Sequence, residues 1–214
     1  SNSRIIHQSC FGNNSEVALC NTTPGHEAHL ACTTADAGCV HGNAVADMAA
    51  GTRTDGTFSS TAVSTGGVAY GSNISFARLT ESAVGAMSTI DLTYAMLNFL
   101  DDVNNNRSYA PDVINLSVGV DDPAWCTATT SLTTVIHQLT LKGVPVVAAS
   151  GNDGTTSGKK NQMAYPACLS EVISVGATEF LRNPGPTISG EQVADFSQSA
   201  STLDIVAPGK ALYM

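Results

Sequence analysis

PDVINLSVGVDDPAWCTATTSLTTVIHQLTLKGVPVVAASGNDG, residues 111–154, carries a strand, a helix and a second strand in one continuous run. Val113, Ile114, Leu116 and Val118 predict a buried strand. Leu132, Val135, Ile136 and Leu139 then recur at helical spacing and stop at Gly143, a left-handed cap. Val144–Ala149 is a short apolar run with Pro145 near its start, where a strand tolerates proline. Strands separated by an amphipathic helix argue for a parallel sheet, because a crossover of that length returns the chain in the same direction.

Outward from this unit the alternation continues. Towards the amino end, residues 41–50 predict a helix, Asn73–Leu79 (NISFARL) a strand, and Thr89–Val103 a helix opened by Ser88, with Asp91 three residues on in a capping-box pattern. Towards the carboxyl end, Val172–Ala177 and Leu203–Val206 predict two more strands. The expected class is α/β, a doubly wound and mostly parallel sheet with helices on both faces. With no internal repeat and no linker-like composition, residues 1–214 are expected to form a single domain, with 1–40 a disulfide-stapled loop region leading into it. In such sheets function gathers at the carboxyl ends of the strands.

Composition narrows the function classes. At 214 residues and 43% hydrophobic content the chain can bury a substantial core, which excludes a disordered chain. Eighteen acidic against nine basic residues give a net charge of −9. No basic cluster exceeds Lys159-Lys160, so a nucleic-acid partner is excluded and the acidity serves solubility. No apolar run approaches the roughly 18 residues of a membrane span, and no secretory pattern opens the sequence. Of the six cysteines, Cys10, Cys20, Cys32 and Cys39 crowd into the first forty residues without the CxxC pairs of a zinc site. Disulfides formed in an oxidising, extracellular compartment are therefore expected. Many connectivities are open; neighbour pairing, Cys10 with Cys20 and Cys32 with Cys39, leaves Cys126 to bridge Cys168.

Two apparent sites fail on spacing. SGNDGTTSGKKN (150–161) follows a strand but lacks the glycine and the hydroxyl of a phosphate loop, and Asp153 would repel a phosphate. GHEAHLAC (25–32) sets His26 and His29 three apart, where a zinc helix needs them four apart.

HGNAVADMAAG (41–51) resembles the histidine motif of the subtilisin-like serine peptidases, HGTHVAGxxAG. Four more stretches resemble that family in its own order: PDVINLSVG, the strand lining the substrate cleft; GVPVVAASGNDG, the oxyanion-hole segment; YPACLSEVISVGAT; and ADFSQSASTLDIVAPG, the run towards the nucleophile. Together they cover roughly residues 38–209. The resemblance implies that His41 is the general base, at the first turn of a helix buried through Val45, Met48 and Ala49. It implies that Asn152 donates its amide to the oxyanion. Ser117, Val118 and Gly119 would pair with substrate backbone by β-augmentation. Ala148, Ala149, Ser150 and Gly151 would wall the specificity pocket, with Asp153 and Ala164 towards its base; Asp153 there would favour a basic side chain. Tyr165-Pro166 matches a position where the family often has a cis proline. Calcium, frequent in the family, is implied as a structural ion at the carbonyls of Ala167, Leu169 and Val172, although no carboxylate loop demands it.

The same comparison marks departures. Asn43, Ala44 and Asp47 replace a Thr, a His and a Gly of the histidine motif. No Asp-Ser/Thr-Gly closes an apolar strand ahead of His41, since Asp36-Ala37-Gly38 lies in the cysteine-rich segment. No GTSxAxP follows Ala207-Pro208-Gly209 before Met214. A fold incomplete at both ends is thus expected, its sheet filled by a partner segment, a second copy or a rearranged strand. Two functions follow: an endopeptidase acting on peptides or proteins, of which this is the central portion and inactive alone, or a non-catalytic homologue that keeps the peptide groove.

Overall fold

The computed structural model describes residues 4–11, 37–58, 61–79, 88–182 and 188–210. They belong to two units, one up to Pro111 and one from Asp112 onward.

The first unit holds strand β1 (Ile5–Phe11), helix α1 (Ala37–Ala50), strands β2 (Thr54–Phe58), β3 (Thr61–Thr65) and β4 (Ile74–Leu79), and helix α2 (Thr89–Asn104). β1 runs parallel to β4, and β2 pairs with β3 as an antiparallel hairpin. β1 lies in the stretch read from sequence as loop: IIHQSCF has only two adjacent apolar residues at its start and no alternation, so its pairing with β4 was not legible. α1 begins four residues before His41, which therefore occupies the second turn rather than the first. Its last carbonyls are met by a returning loop, Met48 O by Val68 N–H (3.1 Å), Ala49 O by Ala69 N–H (2.8 Å) and Gly51 O by Gly67 N–H (3.1 Å), while the Arg4 guanidinium donates to Ala50 O. A cation at that end also opposes the helix dipole. Met48 is 40% exposed and Ala49 is exposed, contrary to expectation; Ala50 is the buried residue of this end.

α2 matches the predicted helix. Ser88 Oγ accepts the N–H groups of Ile90 (3.2 Å) and Asp91 (3.5 Å), satisfying two of the donors a helix start leaves over. Leu92, Ala95, Met96 and Phe99 bury one face.

The second unit holds β5 (Ile114–Leu116), a 3-10 turn at Pro123–Cys126, helix α3 (Ser131–Leu141), β6 (Val146–Ala149), β7 (Ile173–Arg182), β8 (Ile188–Val193) and β9 (Ile205–Lys210). β5, β6, β7 and β9 are mutually parallel where they pair, and β8 joins β7 antiparallel. This is the mostly parallel α/β sheet expected, with α3 as the crossover between β5 and β6. Pairing puts Ile114 opposite Val146 and Leu116 opposite Ala148, all four buried. Val113, expected in the core, is 56% exposed: the period of two places it on the face of exposed Asn115.

α3 follows its sequence pattern closely. Thr130 Oγ1 caps it through Thr133 N–H (3.0 Å), and Leu132, Val135, Ile136 and Leu139 are buried. Each such side chain contributes about 1.5–3 kcal/mol on burial. Its far end closes with Val144 N–H on Leu139 O and Gly143 N–H on Thr140 O, and Gly143 takes φ +82°, which a side chain would strain. Cys126 is bonded to Cys168, as expected. Cys20 and Cys32 and the side chains of Cys10 and Cys39 lie outside the described residues, as does Asp36.

Candidate active site

The carboxyl ends of β5 and β6 place most of the residues singled out from sequence side by side. Beyond β5, Ser117, Val118 and Gly119 stand outside any described ladder. The chain is then fixed by Val120, which exchanges two backbone hydrogen bonds with Tyr165 (2.8 and 2.9 Å). Beyond β6, Ser150 N–H donates to Val175 O (2.9 Å) and Ser150 O accepts Ala164 N–H (2.8 Å), so the segment continues between β7 and the 164–165 strand-like stretch. Ala148 and Ser150 are buried and Ala149 is exposed, as the alternation of a strand end requires.

Gly119, Gly151 and Ala164 converge. A Cβ added at Gly119 would lie 3.1 Å from Ala164 Cβ, and one added at Gly151 would lie 3.2 Å from the same methyl. The three pack closely, the buried Ala164 methyl serving as a common floor on which both glycine backbones rest. Gly151 has φ +116°, so the position is closed to other residues by its backbone as well.

Asn152 follows, exposed, on a backbone gripped at both flanks: Gly151 O accepts Gln198 N–H (3.1 Å), and Asp153 N–H donates to Gln198 Oε1 (3.2 Å). A solvent-facing carboxamide on a fixed loop is a hydrogen-bond donor ready for charge that develops on a bound molecule.

Asp153 is not a lone carboxylate. Lys159 Nζ lies 3.4 Å from its Oδ2 and forms a closer ion pair with Asp121. Hydrogen bonds from Lys159 and then Gln198 hold the Asp121 carboxyl below its ordinary value, and Asp121 in turn raises Lys159. One ammonium is thus shared between two carboxylates, with Asp121 the nearer partner.

The floor is anchored from below. The Tyr165–Pro166 bond is cis, Tyr165 is buried, and its hydroxyl meets Thr130 Oγ1 (2.9 Å) and Thr133 Oγ1 (3.1 Å) at the start of α3. The Cys126–Cys168 bond ties the turn after the 117–119 segment to the turn after the floor.

His41 belongs to the first unit, on an exposed part of α1. The residue beside it meets β4: a Cβ at Gly42 would lie 3.2 Å from Phe76 Cζ.

For calcium, the three implied carbonyls include Leu169 O, which accepts Val172 N–H (3.1 Å), while the carboxylate of that turn, Glu171, bonds His137 Nδ1 at 2.6 Å. Among the described residues no three metal-ligating side chains gather. Three neutral carbonyls alone fall short of the roughly six to eight oxygens that calcium takes.

Sequence reasoning missed Gln198, Asp121 and Lys159. Gln198 lies in ADFSQSAS, where the hydroxyls draw attention, and its partner Asp121 is 77 positions away; no local spacing connects them.

A profile of the subtilase family matches residues 15–213. Subtilisin of Bacillus pumilus is 36% identical over 110 residues, 51% of this chain and 33% of that protein. Subtilisin E of Bacillus subtilis (strain 168) is 36% identical over 110 residues, covering 51% and 24%. The intracellular serine protease of Paenibacillus polymyxa is 30% identical over 99 residues, 46% and 26%. Among solved structures, S41 psychrophilic protease aligns with a TM-score of 0.53 at 25% identity over 68% of this chain and 46% of that one, and Sphericase with 0.52 at 26% over the same shares. The matched part of the chain thus spans a quarter to a third of these curated relatives and under half of these structures.

Proposed function

Since this chain belongs to the subtilase family, we propose that the protein carrying it is a serine endopeptidase and that residues 112–210 supply its substrate slot and oxyanion donor. The carrying observation is exposed Asn152 on a backbone held at both flanks by Gln198, in the same unit as the Ser117–Gly119 segment that stands outside any described ladder. Substrate backbone pairs with Ser117–Gly119, its side chain enters past Ala148–Gly151, and the scissile carbonyl points at the Asn152 amide. The charge that develops on that oxygen is what Asn152 stabilises, as the corresponding asparagine does in subtilisin at about 10²–10³-fold in turnover.

His41 takes the proton of a serine hydroxyl and returns it to the leaving amine. Neither an Asp-Ser/Thr-Gly strand nor a GTSxA serine occurs among the 214 residues, so the chain by itself is inactive and the acid and nucleophile come from outside it. Calcium is no requirement of this scheme. The disulfide supports an oxidising, extracellular location; among the described residues no helix is long and apolar enough to cross a membrane. Lys159 is shared between Asp121 and Asp153, so the preference of Asp153 for a basic side chain is weakened rather than removed. A partner segment or second copy beside the sheet stays part of the reading.

The test is covalent labelling of the full-length protein with a fluorophosphonate, which reacts only with an activated serine. Labelling that His41→Ala abolishes supports the peptidase. No labelling of the wild type favours the second reading, a non-catalytic peptide binder, whose supporting feature is the departure at Asn43, Ala44 and Asp47 beside His41.

A further inference from the structure

Gln198 is 1% exposed and lies between β8 and β9, far along the chain from the Asn152 loop. Its backbone N–H donates to Gly151 O, and its side-chain Oε1 accepts Asp153 N–H, so one residue grips the peptide groups on both sides of Asn152. Its carboxamide fills the space a side chain at Gly151 would need, with Oε1 1.9 Å from the position of that Cβ. Its Nε2 donates to Asp121 Oδ1 at 2.8 Å. The other Asp121 oxygen bonds Lys159, which reaches back to Asp153. The ring is therefore closed: Gln198, Asp121, Lys159, Asp153.

The orientation of the Gln198 amide follows from its partners. A carboxylate only accepts and a backbone N–H only donates, so Nε2 must face Asp121 and Oε1 must face Asp153. An amide whose two ends are both committed cannot flip, and the loop it holds cannot drift without breaking a buried bond.

We propose that Gln198 is a positioning residue for the oxyanion donor: it fixes the Gly151–Asp153 backbone so that Asn152 faces the reacting carbonyl, with the Asp121–Lys159 pair setting the Gln198 amide. This rests on the peptidase reading given above. Oxyanion stabilisation is effective when the donor is in place before charge develops, so a looser loop lowers turnover while substrate binding is kept.

The experiment is a double-mutant cycle in the full-length protein on a chromogenic peptide, reading kcat and KM for the wild type, Gln198→Ala, Asn152→Ala and the double variant, below the melting temperature of each. Gln198→Met, which fills the volume without either polar atom, replaces Gln198→Ala where that variant does not fold. The expected result is that the Gln198 substitution lowers kcat about tenfold or more with KM changed under about threefold, yet costs under about threefold once Asn152 is Ala. An equal loss in both backgrounds marks a merely structural residue and overturns the proposal, as does no loss in either. A wild type that turns over no peptide overturns the peptidase reading and this role together; a wild type that turns over, with equal losses, overturns the role alone.

Discussion

Beside His41 the packing is close: a Cβ at Gly42 would lie 3.2 Å from the Phe76 ring, which would have to give by a few tenths of an ångström where α1 meets β4. Residue-scale causes of this kind also govern charge. The Asp204 carboxylate accepts the backbone N–H of Ser174 (2.8 Å) and its hydroxyl (2.7 Å), which hold it below its ordinary value of 3.8. An acid whose folded value is depressed contributes stability that is present above the unfolded value and is lost as pH falls through the folded one. Melting temperature should therefore fall between about pH 5 and pH 3 more steeply in the wild type than in Asp204→Asn, which keeps an acceptor and loses the titration. Parallel curves would show that Asp204 does not drive the acid limb. None of this was legible in the sequence, where Asp204 falls inside the predicted strand Leu203–Val206, although the strand begins at Ile205; its partner is 30 positions away.

At the scale of elements, legibility followed the reach of the cause. α3 was readable because its apolar spacing and its Gly143 stop lie within a dozen residues of one another and agree; its cap at Thr130 was not read from the sequence. β1 was not, because what makes Ile5–Phe11 a strand is β4, some seventy positions on, and its own residues carry no alternation. The start of α1 was missed for a related reason, the first turn being written in Ala, Gly and Cys rather than in an apolar period. Two element-scale outcomes follow. Thr130→Ala removes the cap of α3 and a partner of the Tyr165 hydroxyl together, so urea denaturation should show a loss of about 1–2 kcal/mol; under about 0.3 kcal/mol would mean that water replaces both bonds. Replacing Cys126 and Cys168 by serine should cost about 2–4 kcal/mol in the same assay, since the bond closes a loop across 42 positions. An unchanged midpoint would show that the two turns are held by the Val120–Tyr165 bonds instead.

Over the whole molecule, the family motifs mark the stations of the fold in order, and the second unit holds four of the five, around the proposed substrate slot with Asn152 at its edge. What the motifs could not show is how that slot is held: Gln198, Asp121 and Lys159 are brought to it by tertiary structure alone. His41 and Asn152 sit in different units. The most direct test of the proposed chemistry is steady-state peptide hydrolysis by the full-length protein with Asn152→Ala. The account predicts a kcat lower by about 10²–10³-fold, the size known for this donor in subtilisin, with KM nearly unchanged. A variant that keeps wild-type kcat, or a wild type that cleaves no peptide, would contradict it.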